Sequence, residues 1–185
     1  MFLTDFYLYI TNLPDGYGIV KNKKLSLCDF SDLLRMKKEL VWKVSRFEEL
    51  TINELYEILH LRCKIFVVEQ DAPYLDTDYK DQKALHLSGY AGDRLVAYCR
   101  IFKGGDYFEE ACIGRVIVAQ EYRKYGYGHD MMKKALDIAS ATLGETRITI
   151  SAQQYLQKFY ESHGFRQTSE MYLEDGLPHI EMKKE

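Results

Sequence analysis

The sequence has no apolar run near the roughly 20 residues that cross a bilayer, so no membrane partner is expected. Its N-terminus lacks the basic start and long apolar stretch of a secretory signal. It also lacks a charge excess. Lys and Arg number 25 against 28 Asp and Glu, a net charge of −3, which leaves no one-signed field for a nucleic-acid partner. There is no CxxC pair among Cys28, Cys63, Cys99 and Cys112. The last three lie in apolar runs and read as buried, reduced thiols, which fits a cytoplasmic location. No His/Cys cluster has zinc-ligand spacing, so no metal is expected. Neither a G-x-x-x-x-G-K-[ST] loop nor a dinucleotide-binding G-x-G-x-x-G after the first strand is present, which argues against a nucleotide-phosphate binder. Internal repeats and low-complexity segments are absent too.

What is present is enough apolar residue, 46% of 185, for one domain with a sizeable core. Its most informative stretch is Arg123-Lys124-Tyr125-Gly126-Tyr127-Gly128. A strand-like run, Ile113 to Val118, precedes it. A helix-like run follows, with Met132, Ala135, Leu136, Ala139 and Leu143 on one face, and Gly144 ends it. The first N–H groups of a helix have no partner within it, and the dipole adds positive charge there. Glycines let the backbone approach a ligand closely. Strand, glycine turn and helix start together make an anion site suited to phosphate or pyrophosphate.

Around this unit the pattern reads as a series of short elements. Thr51-Ile52-Asn53-Glu54 is a capping box that opens a helix running to about Val67. Leu85–Tyr90 and Arg94–Phe102 form a hairpin about Gly92-Asp93. Arg147–Ile150 is a strand, Leu156–His163 a helix, and Gly164-Phe165 opens another strand. Tyr172-Leu173 turns back through Glu174-Asp175-Gly176 onto His179–Met182. The order predicts an α/β fold with a mixed sheet flanked by helices, in which Ile113–Val118 and Arg147–Ile150 run parallel. Residues 1–40 differ in character. Phe6–Ile10 suggests a strand, Pro14-Asp15-Gly16 a turn, Ile19-Val20 a return strand and Ser31–Leu40 a short helix. Met36 is a plausible alternative start. The division expected is an extension over 1–40 and a domain over 41–185.

This order, with its motifs, resembles the GNAT superfamily of acyl-CoA N-acyltransferases. Arg123–Gly128 matches the superfamily's Q/R-x-x-G-x-G/A motif, and Gln153–Phe165 matches its second motif, with Tyr160 four residues before Gly164-Phe165. Phe66–Gln70, His86-Leu87, Leu95–Tyr98 and Tyr172–Ile180 resemble the ElaA-like branch. Two departures stand out: Gln153 replaces a common Asn, and Ala72 stands near a common Cys. The resemblance covers about Val41 to Met182. It implies a mostly antiparallel mixed sheet with one splayed parallel pair. It also implies acetyl-CoA as co-substrate, bound by the amides of Tyr125, Gly126, Tyr127 and Gly128, by Arg123 and Lys124, and along Val116, Ile117 and Val118, with Gln153 and Tyr160 nearby.

The implied reaction is direct attack of a primary amine on the thioester in a ternary complex. Tyr160 would donate a proton to the departing thiolate, since a phenol is protonated at pH 7; by spacing alone, four residues after Leu156, it reads first as a core aromatic, and the resemblance turns that reading towards catalysis. Candidates for the base are Glu69, His86, Glu109 and Glu110, each with a plainer reading as a surface charge or a satisfied polar group. Strand periodicity places Arg115 and Ile117 opposite Val116 and Val118. Glu69, Asp71, Asp76, Asp78 and Asp81 form an acidic loop, read either as a solvated loop or as a lure for a cationic amine. Tyr74 and Tyr79 in that loop read as acceptor-pocket walls or as packing on the sheet. The alternative function is a non-catalytic acyl-CoA-binding module, in which Tyr160 would be dispensable. Monomer and homodimer both remain open.

Overall fold

The computed structural model describes residues 37–185. The strand, turn and return strand expected before Val20, the extension's other residues up to 35 and Met36 lie outside the described residues. Lys37–Leu40 has no regular structure, so the helix expected over Ser31–Leu40 does not include its described end. β1 (Val41–Arg46) leads through a short 3-10 turn to Thr51. The Thr51 hydroxyl accepts from the Glu54 N–H at 3.2 Å, and the Glu54 carboxylate accepts from the Thr51 N–H at 3.0 Å. That reciprocal pair starts α1 (Ile52–Arg62) by satisfying two end donors at once. The helical path then continues as a π-helix, Cys63–Glu69, two residues past the expected end. Its buried face follows Ile58, Leu61, Arg62 and Ile65. Cys63 is therefore exposed, not buried as its apolar context suggested, while Cys99 and Cys112 are buried.

The hairpin of β2 (Leu85–Ala91) and β3 (Arg94–Phe102) turns at Gly92, whose φ of 64° suits glycine. β4 (Ala111–Val118), α2 (Tyr127–Leu143) and β5 (Ile148–Gln153) form a strand–helix–strand unit. α2 stops at left-handed Gly144, where the Glu145 N–H reaches back to the Ala139 carbonyl at 3.0 Å. α3 (Gln157–Glu161), β6 (Arg166–Gln167), β7 (Tyr172–Glu174) and β8 (Leu177–Lys184) complete the chain. The sheet order is β1-β2-β3-β4-β5-β8-β6, with β7 also on β8. β4 and β5 are parallel and the other neighbours antiparallel. Met131, Met132, Ala135 and Ala139 of α2 share the main core with Leu87, Val96, Ile150 and Met182. Each large apolar side chain buried there contributes about 1.5–3 kcal/mol.

Two irregularities shape the centre of the sheet. β4 and β5 pair only at Ala111–Ile148 and Cys112–Thr149, and beyond those pairs the strands separate. On its other edge, β4 sets Gly114 opposite Arg100 and Ile117 opposite Tyr98. Two residues, Arg115 and Val116, thus face one, which is a β-bulge. Arg115 adopts φ 53°. Simple alternation across Arg115–Val118 is therefore interrupted at its first two residues, correcting the periodic reading.

Candidate active site

β4 ends with the Ala119 N–H donating to the Val96 carbonyl at 2.8 Å. Backbone groups alternate in direction along a strand, so those of Val118 point away from β3, towards the opening beside β5. The chain then passes through a 3-10 turn, Gln120–Tyr125, to Gly126 at φ 74°. There it reverses into α2, whose ladder opens with the His129 N–H on the Gly126 carbonyl at 3.0 Å. The Gly128 N–H precedes that ladder and has no carbonyl of α2 to meet. A Cβ placed on Gly126 would meet nothing within 4 Å, so open space surrounds it. The side chains of Tyr125 and Tyr127 are drawn into an aromatic group with Tyr122, centroids 5.7–6.4 Å apart. The Gly126 N–H donates to the Arg123 carbonyl at 3.2 Å, so of the two glycine amides that of Gly128 is the one outside the backbone ladder. Lys124 sits 5.0 Å over the Tyr125 ring. Arg123 is engaged twice: its Nε donates to the Val118 carbonyl at 3.0 Å, and its Nη1 pairs with Glu69 at 2.6 Å.

α3 packs against the start of α2: a Cβ on Gly128 would lie 3.6 Å from Phe159 and 3.9 Å from Val118. The next residue, Tyr160, is buried at 6% exposure, edge-on to Phe159 and Phe165. Burial pushes its phenol far up, so it carries its proton throughout the physiological range. Gln153, at the end of β5, donates to Gln70 at 3.0 Å. The Glu69-Gln70 pair therefore touches both sides of the opening, Arg123 beyond β4 and Gln153 on β5.

Of the proposed bases, His86 is buried and bonded at both ring nitrogens. It is 1% exposed, with Nε2 2.9 Å from the Asp81 carbonyl and Nδ1 2.7 Å from the Tyr98 hydroxyl. A carbonyl only accepts, so Nε2 carries the proton and Nδ1 accepts from Tyr98. Burial pushes its pKa down, and neither nitrogen is open to a substrate. Glu110 is held by Thr149 at 2.9 Å and Lys183 at 3.0 Å, and Glu109 is exposed.

The acidic loop is corrected. Three arginines take up its buried charges. Arg62 bonds Asp76 and Asp81, each at 2.7 Å. Arg100 clasps Asp78 at 2.7 and 2.8 Å and Asp81 at 3.0 Å. Arg115 reaches Asp76 at 2.7 Å. Burial pushes Asp78 up, but Arg100's hydrogen bonds and charge outweigh it and leave the carboxyl well below its usual range. Asp76 and Asp81 are therefore buried and paired, and the partly exposed Asp78 is clasped by Arg100, so their charges are already taken up; Asp71 stays exposed. Tyr74 is partly buried and donates to Asp76 at 3.3 Å, while Tyr79 is 90% exposed. Among the described residues, Arg100 Nε is the buried side-chain polar atom without a partner. Reasoning from sequence missed this network, although each arginine sits inside an apolar run, an unusual place for an unpaired charge.

The chain resembles known proteins in sequence and fold. The family profile described as acetyltransferase (GNAT) domain matches residues 63–185. Protein ElaA of Escherichia coli K12 is 42% identical over 146 residues, covering 78% of this chain and 95% of its own. A UPF0039 protein of Schizosaccharomyces pombe is 40% identical over 149 residues, covering 80% and 97%. The crystal structure of an acyl-CoA N-acyltransferase from Pseudomonas aeruginosa superposes with a TM-score of 0.76 at 37% identity, covering 80% of this chain and 100% of that one. That of Escherichia coli ElaA gives 0.74 at 41%, covering 79% and 99%. No helix among the described residues is long and apolar enough to cross a membrane. With its profile match and its relatives at 40% identity or more, the chain belongs to the GNAT superfamily of acyl-CoA N-acyltransferases, in the ElaA-like branch.

Proposed function

We propose that this protein transfers an acetyl group from acetyl-CoA to a primary amine in a ternary complex. The observation that carries the reading is the separation of β4 from β5 after two paired residues, with the Gly126–Gly128 turn and the start of α2 at the far end of β4. The pyrophosphate of the co-substrate would take the amides of the turn, and Arg123 and Lys124 would neutralise it. Arg123 must leave Glu69 and Val118 to do so. From Val118 back to Ile113 is about 16 Å at strand rise, a span for the pantetheine arm along the backbone of Val116 and Val118. The thioester then lies where the strands converge, held beside the incoming nitrogen. The amine nitrogen bonds the acyl carbon and releases its proton to solvent as the carbon–sulfur bond breaks. Tyr160, already protonated, supplies the proton the thiolate needs.

Buried thiols at Cys99 and Cys112 suit a reducing, cytoplasmic setting. Turnover tests the reading: free thiol released from acetyl-CoA is followed while a set of primary amines is supplied. Amine-dependent release supports it. CoA binding with no release for any amine would favour a non-catalytic acyl-CoA-binding module.

A further inference from the structure

Where β4 and β5 part, Glu174 and Glu181 both stand outside the ion pairs of the described residues; Glu181, opposite Ser151 on β8, is held by the Thr168 hydroxyl at 2.7 Å. Ion pairs among the described residues take up Glu69, Asp76, Asp78, Asp81 and Glu110. Glu174 is in none of them. It is half-buried at the end of β7, and its carboxylate accepts from the Ser151 hydroxyl on β5.

Ser151 lies two residues beyond Thr149, the last residue of β5 to pair with β4. Ile150 and Ala152 point into the main core. Ser151 therefore points to the opposite face, where Thr149 bonds Glu110 and Gln153 bonds Gln70. The same hydroxyl meets the Tyr172 hydroxyl at 2.6 Å, and the Tyr172 ring stacks on His179 across the β7–β8 hairpin. Ser151 is two residues past the last pair of β4 and β5, so the carboxylate it holds stands where the strands part.

We infer that Glu174, aimed by Ser151 and flanked by Tyr172, is the carboxylate that receives the acceptor, and that the acceptor enters as a primary ammonium, which gives one proton to solvent before its nitrogen attacks and the second as the new bond forms. A compact –NH3+ has three donors and no acceptor, which complements a carboxylate oxygen beside a tyrosine hydroxyl. A neutral alcohol of the same length can donate one hydrogen bond but leaves the charge of the carboxylate unneutralised. The inference rests on the function proposed above, since it places the amine where that reading places the thioester.

Titration with n-butylammonium at neutral pH tests it, followed calorimetrically with n-butanol as the uncharged comparator and run on the protein with and without saturating CoA. The expected result is binding of butylammonium but not butanol, weakened about tenfold or more in Glu174→Gln. Glutamine keeps an oxygen for Ser151, so this variant removes charge without removing the hydrogen bond. Glu170→Gln, an exposed acid nearby in the chain, should bind as the wild type does. Three outcomes overturn the inference: no butylammonium binding by the wild type, equal binding by Glu174→Gln, or an equal loss in Glu170→Gln. CoA binding is read separately in the same titrations. Its presence without amine binding sinks this inference alone, whereas its absence sinks the functional reading.

Discussion

Arg62 and Arg100 are both essentially unexposed, and their shared partner Asp81 ties a helix, a strand and a loop together. Removing one member of a buried ion network leaves an uncompensated charge, at a cost of about 3–5 kcal/mol. Asp81→Asn should lower stability by that order in urea denaturation, and a change under about 1 kcal/mol would show that the network holds little. Tyr160 makes the opposite prediction. Tyr160→Phe keeps the ring packed between Phe159 and Phe165, so folding and CoA affinity should be unchanged. The value of kcat should fall about a hundredfold or more, the typical worth of a positioned acid. Unchanged kcat across pH would return Tyr160 to the role of a core aromatic. The asymmetry in legibility at this scale has a physical cause. Tyr160 stands in a local pattern with Gly164-Phe165, while Arg115 meets Asp76 across 39 residues, a pairing that spacing along the chain does not encode.

Elements built by local chemistry were readable for the same reason. The Thr51–Glu54 box, the Gly92 turn and the Gly144 stop each depend on residues within a few positions, and each appears where the sequence puts it. The β4 bulge was not readable. An arginine at positive φ is costly by itself, and here the ion pair to Asp76 accompanies it. The contact between α2 and the turn after α3 gives a pH-dependent prediction. His129 Nδ1 and His163 Nε2 are 2.9 Å apart. One ring must donate and the other accept, so double protonation is disfavoured. Burial first, then the positive charges of His129, Lys133 and Lys184, push the His163 pKa down to about 4. An unfolded histidine titrates near 6.5. Between those values the unfolded chain binds more protons, so the stability is present above pH 6.5 and is lost as pH falls towards 4. His163→Asn should flatten the fall in Tm between pH 7 and 5; parallel curves for the two proteins would refute the assignment.

For the whole molecule, every described strand and helix lies from Val41 onward, and the curated relatives match 78–80% of the chain. We therefore expect the chain from Met36 onward to fold and to bind CoA as the full chain does. Loss of folding on removing residues 1–35 would make that segment part of the domain. The opening between β4 and β5, with the α2 turn at its end, is proposed as the acyl-CoA site. Thermal stabilisation tests it most directly, because a ligand at about 100 times its Kd that binds only the folded state adds about 2.7 kcal/mol. A rise in Tm with acetyl-CoA and with CoA, and none with ATP, is the predicted result. A folded protein whose Tm moves with neither CoA species would contradict it.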